Sequence, residues 1–483
     1  MLQNNQKKAI KLGVVFKITE KGLLLSIQFV ISVILARILS PEDYGLIAII
    51  NPFVAIPMII FESGFCQALI QNKNVNRVHI DTIFIVNIVL SLIIYCFIFC
   101  LAYPISKFYS NLQIDTLLKL YSISIVVASV SHTYNSMLIR NLRFKEQMYF
   151  SFISAIISGV VGIVLAYKEF GVYSLVYQYL TYRVIYMLGI MVISKYIPHF
   201  HFSCVYFKSA FVYSWKIIAS RILSTGSNEL RNLFIGKLYT TDITGYYNKG
   251  YQLPSIAATA FDYSLQSVMF SAFSKEQSNI HALKAMLKRT IKTTSFIVFP
   301  LLFGLIATAR PLVIVLFTEK WLPIVPFIQL CSLAFIFQTI QTPNYQALNA
   351  MGLTNITFKT ELAKRIVEFA LIIVTVFINI YLLAISYIVV SLVGVVFYLK
   401  ISQKLLKYSF RDGFVDIIPS LIPSVMMLLC IIPLNALNIR PICILFLQII
   451  LGITAYIVFC YVCHNDSLKY SFSFVVSLIK KKR

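Results

Sequence analysis

The feature that most constrains this chain is an almost unbroken succession of apolar segments, each about 20 residues long. A helix of about 20 residues crosses the roughly 30 Å hydrocarbon core of a bilayer. Of the 483 residues, 59% are hydrophobic and 12% are charged, which leaves too few charges to solubilise a surface. The segments lack the period-two alternation of membrane strands, so we predict an all-α, polytopic membrane protein.

About fourteen segments are expected to cross the membrane, roughly 14–38, 44–70, 80–104, 112–138, 147–167, 172–194, 209–236, 243–272, 293–317, 322–350, 366–380, 382–399, 414–434 and 441–462. If the N-terminus is cytoplasmic, basic residues concentrate in the cytoplasmic loops and tails, which is a strong positive-inside signal. An even number of spans then predicts that both termini are cytoplasmic. Topology accounts for most of the net charge of +24, and we expect no nucleic-acid partner.

A motif after the first apolar segment recurs at a constant offset of 200 residues. ARILSPEDYGL, residues 36–46, aligns without a gap on GKLYTTDITGY, residues 236–246, with basic, hydroxyl, acidic and glycine positions in register. This recurrence predicts two six-helix lobes in parallel pseudo-twofold repeat, each opening with a helical hairpin.

The repeat divides the chain into three parts. Residues 1–195 form an N-lobe, residues 196–410 a C-lobe, and residues 411–483 two extra helices with a basic cytoplasmic tail. Residues 274–292 combine apolar and basic side chains and predict an amphipathic interfacial helix that links the lobes. A partner-binding segment is the alternative for this stretch.

Basic residues inside the predicted spans are the main functional signal, because each costs at least ~2.5 kcal/mol at a helix centre. They are Lys17, Lys21, Arg37, Lys119, Arg183, Lys216, Arg221, Arg231 and Lys249. Arg183 lies near the middle of the sixth span, where a long side chain cannot reach the surface. It is expected to line a central cavity, the alternative being a buried partner within its own lobe.

The seventh span carries a broad polar stripe. Ser220, Ser224, Ser227 and Arg231 recur at helical spacing, and a second row follows one position later: Arg221, Thr225, Asn228 and Asn232. The stripe favours a basic cavity wall, although small polar residues also pack membrane helices together. We predict Arg183, Arg221, Arg231 and Lys249 as the cavity cations.

Acidic residues within spans are the candidates for a gate or for ion coupling. Lys21 and Glu62 fall at similar depth on paired helices, and Arg221 and Asp262 are their equivalents in the second lobe. Each pair is either a static brace or a gate whose acid takes up a proton. Glu229 is a further candidate for protonation.

Chemical motifs for catalysis are not evident. The sequence has no phosphate-binding loop or nucleophile elbow, and its six histidines do not stand at metal-ligand spacing. Cys460, Cys463 and His464 spell a haem-attachment motif at the expected cytoplasmic end of the last span, where attachment would not occur. We predict no enzyme activity, no catalytic residue, no metal and no cofactor, with energy coming from an ion gradient, the membrane potential or substrate supply.

Several segments resemble one family of membrane proteins. They are ARILSPEDYGL, FESGFCQALIQNKN from Phe61, YNSMLIRNLRFKE from Tyr134, and TGYYNKGYQLP from Thr244. Together they resemble the bacterial polysaccharide transporters of the multidrug, oligosaccharidyl-lipid and polysaccharide exporter superfamily, over roughly residues 10–410. The resemblance implies two helical bundles, alternating access, a cationic cavity and a location in the bacterial inner membrane.

The resemblance also implies a substrate. Such proteins are flippases for undecaprenyl-pyrophosphate-linked oligosaccharide repeat units used in O-antigen, capsule, exopolysaccharide or teichuronic acid assembly. A pyrophosphate needs fixed cations to cross a bilayer, which agrees with the basic residues found above. From depth and periodicity, we predict sugar contacts at Ser224, Asn228, Gln341 and Asn344. Membrane lipid, an H⁺ or Na⁺ gradient, and polymerase and chain-length proteins are the further partners considered.

Two alternatives remain. A cation-coupled multidrug exporter of the same superfamily would line its cavity with acids, whereas bases outnumber acids within these spans. A membrane polysaccharide polymerase or ligase would use the same lipid-linked glycans, but such enzymes have a large outward loop that this pattern lacks.

Overall fold

The computed structural model describes residues 2–72, 75–199, 201–277, 279–463, 465 and 468, without the side chains of residues 2–19, 63, 224, 227, 228, 260–268, 270 and 271. Throughout this described part the chain is helical and has no β-strand, which confirms the all-α prediction. The α-helices are α1 Leu2–Ile38, α2 Pro41–Ile60, α3 Cys66–Gln71, α4 Arg77–Phe108, α5 Gln113–Arg140, α6 Phe144–Tyr167, α7 Val172–Ser194, α8 Cys204–Leu238, α9 Thr241–Lys275, α10 Ile280–Phe317, α11 Val325–Ile336, α12 Gln338–Ala350, α13 Thr354–Val376, α14 Ile380–Leu406, α15 Phe410–Ile431 and α16 Pro441–Val462.

Three short turns complete the architecture. A π-helical turn, Phe61–Phe65, joins α2 to α3, and 3₁₀ turns at Glu319–Ile324 and Ile432–Ala436 precede α11 and follow α15. Eleven stretches among the described residues are long and apolar enough to cross a membrane. The remaining three predicted spans coincide with α8, α9 and α13. The chain is a multi-pass membrane protein, and fourteen crossings stay a prediction.

The chain divides into two compact units, residues 1–245 and 246–483. In the first unit α2, α4, α5 and α7 share a core of aliphatic and aromatic side chains. The repeat assigns α8 to the second lobe, but α8 packs against α2 and the π-helical turn within the first unit. The division into residues 1–195, 196–410 and 411–483 therefore stays a prediction about the repeat.

The two copies of the repeated motif fold alike. In each, a long helix ends two residues before a hydroxyl residue, and the next helix begins directly after that residue. Ser40 caps α2 by accepting the Asp43 amide, and the Asp43 carboxylate accepts the Ser40 amide. Thr240 accepts the Ile243 amide in the same way at the start of α9. Side-chain caps of this type satisfy backbone donors that the first helical turn leaves free.

The glycines of the repeated motif bring two backbones together within residues 1–245. A Cβ atom on Gly45 would lie 1.8 Å from the carbonyl oxygen of Thr241. One on Gly245 would lie 2.1 Å from the carbonyl oxygen of Pro41. Only residues without a side chain allow this approach.

The segment between α7 and α8 is fixed to the start of α4. The carboxylate of Asp81, which is fully buried, accepts hydrogen bonds from the Tyr196 hydroxyl and from the backbone amide of His199. Arg77 donates to the carbonyl of Ile197, and the Ser203 amide donates to a hydroxyl on α4. Burial and the bond to Asp81 raise the pKa of Tyr196. These contacts set the position at which α8 begins.

The second unit is built around α10, which packs against α11, α15 and α16. The interfacial helix at residues 274–292 stays a prediction, and the structure shows that most of this stretch is not a helix of its own. The residues from Ile280 onward are the first turns of α10 itself. Leu283, Leu287 and Ile291 are fully buried in the core that includes α15 and α16, so these turns belong to a packed helix.

Charged side chains reinforce this packing. Lysines at every fourth residue of α10 meet two aspartates one turn apart on α15. Lys284 lies 3.1 Å from Asp412, and Lys288 and Lys292 lie 3.4 and 3.8 Å from Asp416. The two C-terminal helices are thus structural partners of α10.

Candidate functional site

Polar side chains from four helices meet inside the first unit, and Arg183 is the cation among them. Arg183 on α7 donates to the hydroxyl of Tyr179, one turn earlier, at 2.8 Å. Its guanidinium lies over the Tyr179 ring, 5.0 Å from the centroid, and contacts the sulfur of Met58 on α2. The Nε atom is buried without a hydrogen-bond partner.

A carboxylate lies further along the same network. The Tyr179 ring packs 4.7 Å from the ring of Tyr121 on α5, whose hydroxyl donates to Asn51 on α2. The amide of Asn51 reaches both oxygens of Glu229 on α8 at 3.4 and 3.5 Å. We call Arg183, Tyr179, Tyr121, Asn51 and Glu229 the first-unit network.

The electrostatics of the first-unit network favour an anion at its α7 end. Within the described residues no carboxylate lies within the 4.0 Å ion-pair distance of Arg183, and its contacts are a phenol and a thioether. A guanidinium keeps its charge under all physiological conditions, so the energetic cost of partly burying Arg183 is not offset by a fixed counter-ion. Its planar fork matches phosphate oxygens.

The polar stripe of α8 includes both exposed and buried side chains. Arg221 is exposed, whereas Arg231 is only 3% exposed. Glu229 faces the first-unit network and also accepts from Asn232, a member of the predicted stripe, at 3.4 Å. The side chains of Ser224 and Asn228 lie outside the described residues.

The predicted ion pair between Lys21 and Glu62 is not formed here. Both side chains are exposed, and they do not come within 4.0 Å of each other in the part of the chain that the structure describes. Glu62 lies in the π-helical turn Phe61–Phe65, in which the Gly64 backbone is non-helical. The equivalent pair cannot be compared, because the side chain of Asp262 lies outside the described residues.

Three predicted residues are packed inside the second unit. Lys249 is 3% exposed, and its amine lies 5.5 Å from the centre of the Phe317 ring. Asn344 is fully buried and accepts from the Ser402 hydroxyl at 2.6 Å. Gln341 donates to the carbonyl of Ser391 at 2.8 Å. In this state their polar groups stabilise helix packing.

Sequence reasoning missed the charged start of α13. The predicted span began at residue 366, but the helix begins at Thr354 and carries five charged residues, of which only Glu368 lies within the predicted span. Lys359 is exposed. The other four are Glu361, Lys364, Arg365 and Glu368. Their spacing of three or four places them on one helix face, and this periodicity was the available signal. We call these four residues the α13 row.

Comparisons with known proteins place the chain in a family. A sequence profile described as "Polysaccharide biosynthesis protein" matches residues 34–326, more than half of the chain. The chain belongs to this polysaccharide biosynthesis protein family. The matched segment includes the whole first-unit network and ends before the α13 row.

Three relatives of this chain have names that describe transport or biosynthesis. The succinoglycan biosynthesis transport protein ExoT of Rhizobium meliloti is 24% identical over 68% of this chain and 66% of its own length. The lipopolysaccharide biosynthesis protein WzxC of Escherichia coli is 22% identical, covering 68% of each chain. The teichuronic acid biosynthesis protein TuaB of Bacillus subtilis is 23% identical over 62% of each chain. The similarity thus spans about two thirds of these relatives.

Solved structures show the fold of this family member. The lipid II flippase MurJ in an inward closed conformation aligns with a TM-score of 0.76 at 16% identity, covering 94% of this chain and 99% of that one. An inward-facing multidrug resistance MATE transporter of the MOP superfamily aligns at 0.62 and 14% identity, covering 80% and 99%. The predicted exporter-superfamily fold is confirmed.

Proposed function

We propose that this protein is a flippase for undecaprenyl-pyrophosphate-linked oligosaccharide repeat units. It carries them from the cytoplasmic to the outer leaflet of the bacterial inner membrane, for surface polysaccharide assembly, by alternating access. The observation that carries the proposal is Arg183, a half-buried cation with a buried Nε and neutral neighbours inside a helical bundle. The family and the transport or biosynthesis names of its relatives support it.

The chemistry of the substrate fits the first-unit network. A pyrophosphate carries at least one negative charge per phosphate and must exchange water for fixed donors when it crosses a bilayer. The Nε of Arg183 is a donor without a hydrogen-bond partner, and the guanidinium is already held in place by Tyr179. Little side-chain entropy is therefore lost when an anion binds. Arg221, Arg231 and Lys249 remain proposed as further cations.

Glu229 is the proposed coupling acid. Its partners Asn51 and Asn232 are neutral amides, which can face either a carboxylate or a carboxylic acid. Uptake of H⁺ or binding of Na⁺ at Glu229 would change the charge of the first-unit network. We propose no catalytic step, and glycan polymerisation is left to separate polymerase and chain-length proteins.

The test is leaflet-resolved labelling of lipid-linked oligosaccharide in cells that carry Arg183→Gln. Charge-assisted hydrogen bonds contribute about 1.5–3 kcal/mol, and each 1.4 kcal/mol is a factor of ten, so outward transport should fall at least about tenfold. Lys168→Gln is the matched control, because it removes one positive charge from an exposed turn in the same unit. The control should transport at the wild-type rate.

Other results would contradict the proposal. If a membrane-inserted Arg183→Gln variant transports at the wild-type rate, this cation has no role in transport. Outward movement that does not depend on the protein, together with export of cationic amphiphiles, would favour a multidrug exporter. A change in polymer length alone would indicate a polymerase or ligase.

A further inference from the structure

The α13 row lies in the second unit and is joined to both neighbouring helices. The hydroxyl of Tyr398 on α14 donates to Glu361 at 2.6 Å. The Lys364 amine donates to the side-chain oxygen of Gln341 on α12 at 2.7 Å. Arg365 donates to Glu368 at 2.7 Å, and its Nε lies 3.9 Å from Glu361. Two acids and two bases thus stand together inside a membrane bundle with no net charge.

Accessibility changes along the row. The side chain of Glu368 is 1% exposed, that of Arg365 18% and that of Glu361 33%. A half-buried aromatic residue, Tyr345 on α12, meets the Tyr398 ring edge-on with centroids 6.2 Å apart. The accessible end of the row therefore presents a carboxylate beside a guanidinium, and Tyr398 connects the carboxylate to the Tyr345 ring.

This combination suits a sugar better than a phosphate. Sugar hydroxyls both donate and accept, so they pair with a carboxylate and a guanidinium placed side by side. An aromatic ring packs against the apolar face of a sugar ring. Because the row carries no net charge, it gives a pyrophosphate dianion no net attraction, in contrast to the half-buried cation Arg183.

Lys364 and its partner Gln341 support the α13 row. Gln341 accepts from Lys364 and donates to the Ser391 carbonyl, so both its amide oxygen and its amide nitrogen have a partner within the protein. A Cβ on Gly394 would lie 2.5 Å from the Gln341 oxygen, so glycine is required for this arrangement. Gln341 thus positions Lys364.

We propose that Glu361, Arg365 and Tyr345 form a sugar-binding subsite for the glycan of the lipid-linked substrate. This inference rests on the proposed flippase function and adds to it a separate place for the uncharged part of the substrate. Replacement of Glu361 should weaken recognition of the glycan and leave recognition of the pyrophosphate unchanged.

The experiment measures affinity of the purified full-length protein in lipid nanodiscs for two probes. One is lipid-linked oligosaccharide purified from the producing strain, and the other is undecaprenyl pyrophosphate without sugar. Glu361→Gln should bind the glycan-bearing lipid at least tenfold more weakly than wild type and bind the bare lipid equally well. Arg183→Gln should weaken binding of both probes.

Glu146→Gln is the matched control for Glu361→Gln. Glu146 pairs with Arg143 at spacing i, i+3, at 2.9 Å, and its side chain is 33% exposed, as that of Glu361 is. The control should bind both probes as wild type does. Tyr345→Ala gives a second test of the subsite, because it removes the ring, and Tyr345→Phe should restore glycan binding.

Each result separates the two proposals. Unchanged affinity of Glu361→Gln and Tyr345→Ala for the glycan-bearing lipid would overturn the sugar subsite. Equal weakening for both probes, or loss of thermal stability in Glu361→Gln, would show that the α13 row is only a structural brace and would also overturn it. Failure of the wild type to bind either probe would overturn the flippase proposal itself.

Discussion

Gly45 occupies a position where a single methyl group is too large. Its Cβ would approach the Thr241 carbonyl oxygen to 1.8 Å, and backbone atoms cannot move away as a flexible side chain can. Gly45→Ala should destabilise the protein by about 1–3 kcal/mol, the usual cost of overpacking. The measurement is thermal unfolding in detergent.

Gly22→Ala is the control, because a Cβ there would meet nothing within 4 Å. Replacing a glycine inside a helix by alanine should leave stability unchanged or raise it by up to about 1 kcal/mol. Equal loss of stability in both variants would contradict the steric explanation.

At the scale of the residue, the sequence predicted which charged side chains lie inside apolar spans but not which residues surround them. The depth of Arg183 followed from its place in an apolar segment, and Tyr179 stands one turn earlier on the same helix. Asn51 and Tyr121 come from helices distant in the chain, and no periodicity within one helix reveals contacts between helices. Glu62 lies in a π-helical turn that the sequence did not predict, and it is not paired with Lys21 in the described structure.

At the scale of the helix, α13 shows why an apolar segment is an incomplete signal. A membrane helix packed in a bundle needs apolar residues only toward lipid. On α13, Ile366, Phe369 and Ile373 are exposed, whereas Glu368 is buried. Averaged hydropathy falls where charges lie on the inner face, so the predicted span began twelve residues after Thr354. The helical hairpins were predictable because their turns repeat.

The contact between α10 and α15 depends on one buried acid. Asp416 is 1% exposed, accepts from the Tyr408 hydroxyl at 3.0 Å and pairs with Lys288 and Lys292. Asp416→Asn should lower the free energy of unfolding by about 1.5–3 kcal/mol, because it weakens the charge-assisted hydrogen bonds that the buried carboxylate accepts. Chemical denaturation in micelles measures this change.

An exposed ion pair provides the comparison for Asp416. Glu146→Gln breaks a pair in which both side chains are at least 33% exposed, and it should cost less than about 1 kcal/mol. If the two substitutions change the free energy of unfolding equally, burial of Asp416 does not determine its contribution to stability.

At the scale of the whole molecule, the last two helices belong to the core of the second unit. Their sequence has no counterpart in the repeat. Both α15 and α16 cover the buried face of α10, including Leu283, Leu287 and Phe299. The repeat therefore does not predict which helices share a core.

A chain truncated after Leu406 should consequently fail to accumulate in the membrane. Removing α15 and α16 uncovers the core of the second unit and leaves the lysines of α10 without their aspartates. Immunoblotting of membrane fractions measures the level of the fragment. Co-expression of residues 407–483 should restore it, and normal accumulation of residues 1–406 alone would contradict this interpretation.

The lysines on α10 also have a consequence for the order of events during biosynthesis. Asp412 follows Lys284 by 128 residues, so at translation rates of about 5–20 residues per second it is made roughly 6–26 s later. During that interval the three lysines stand without these partners and are expected to act as an orientation signal that keeps the start of α10 from being translocated. The same charges would thus first set the membrane orientation of the nascent chain and later pair with the aspartates of α15 in the folded protein.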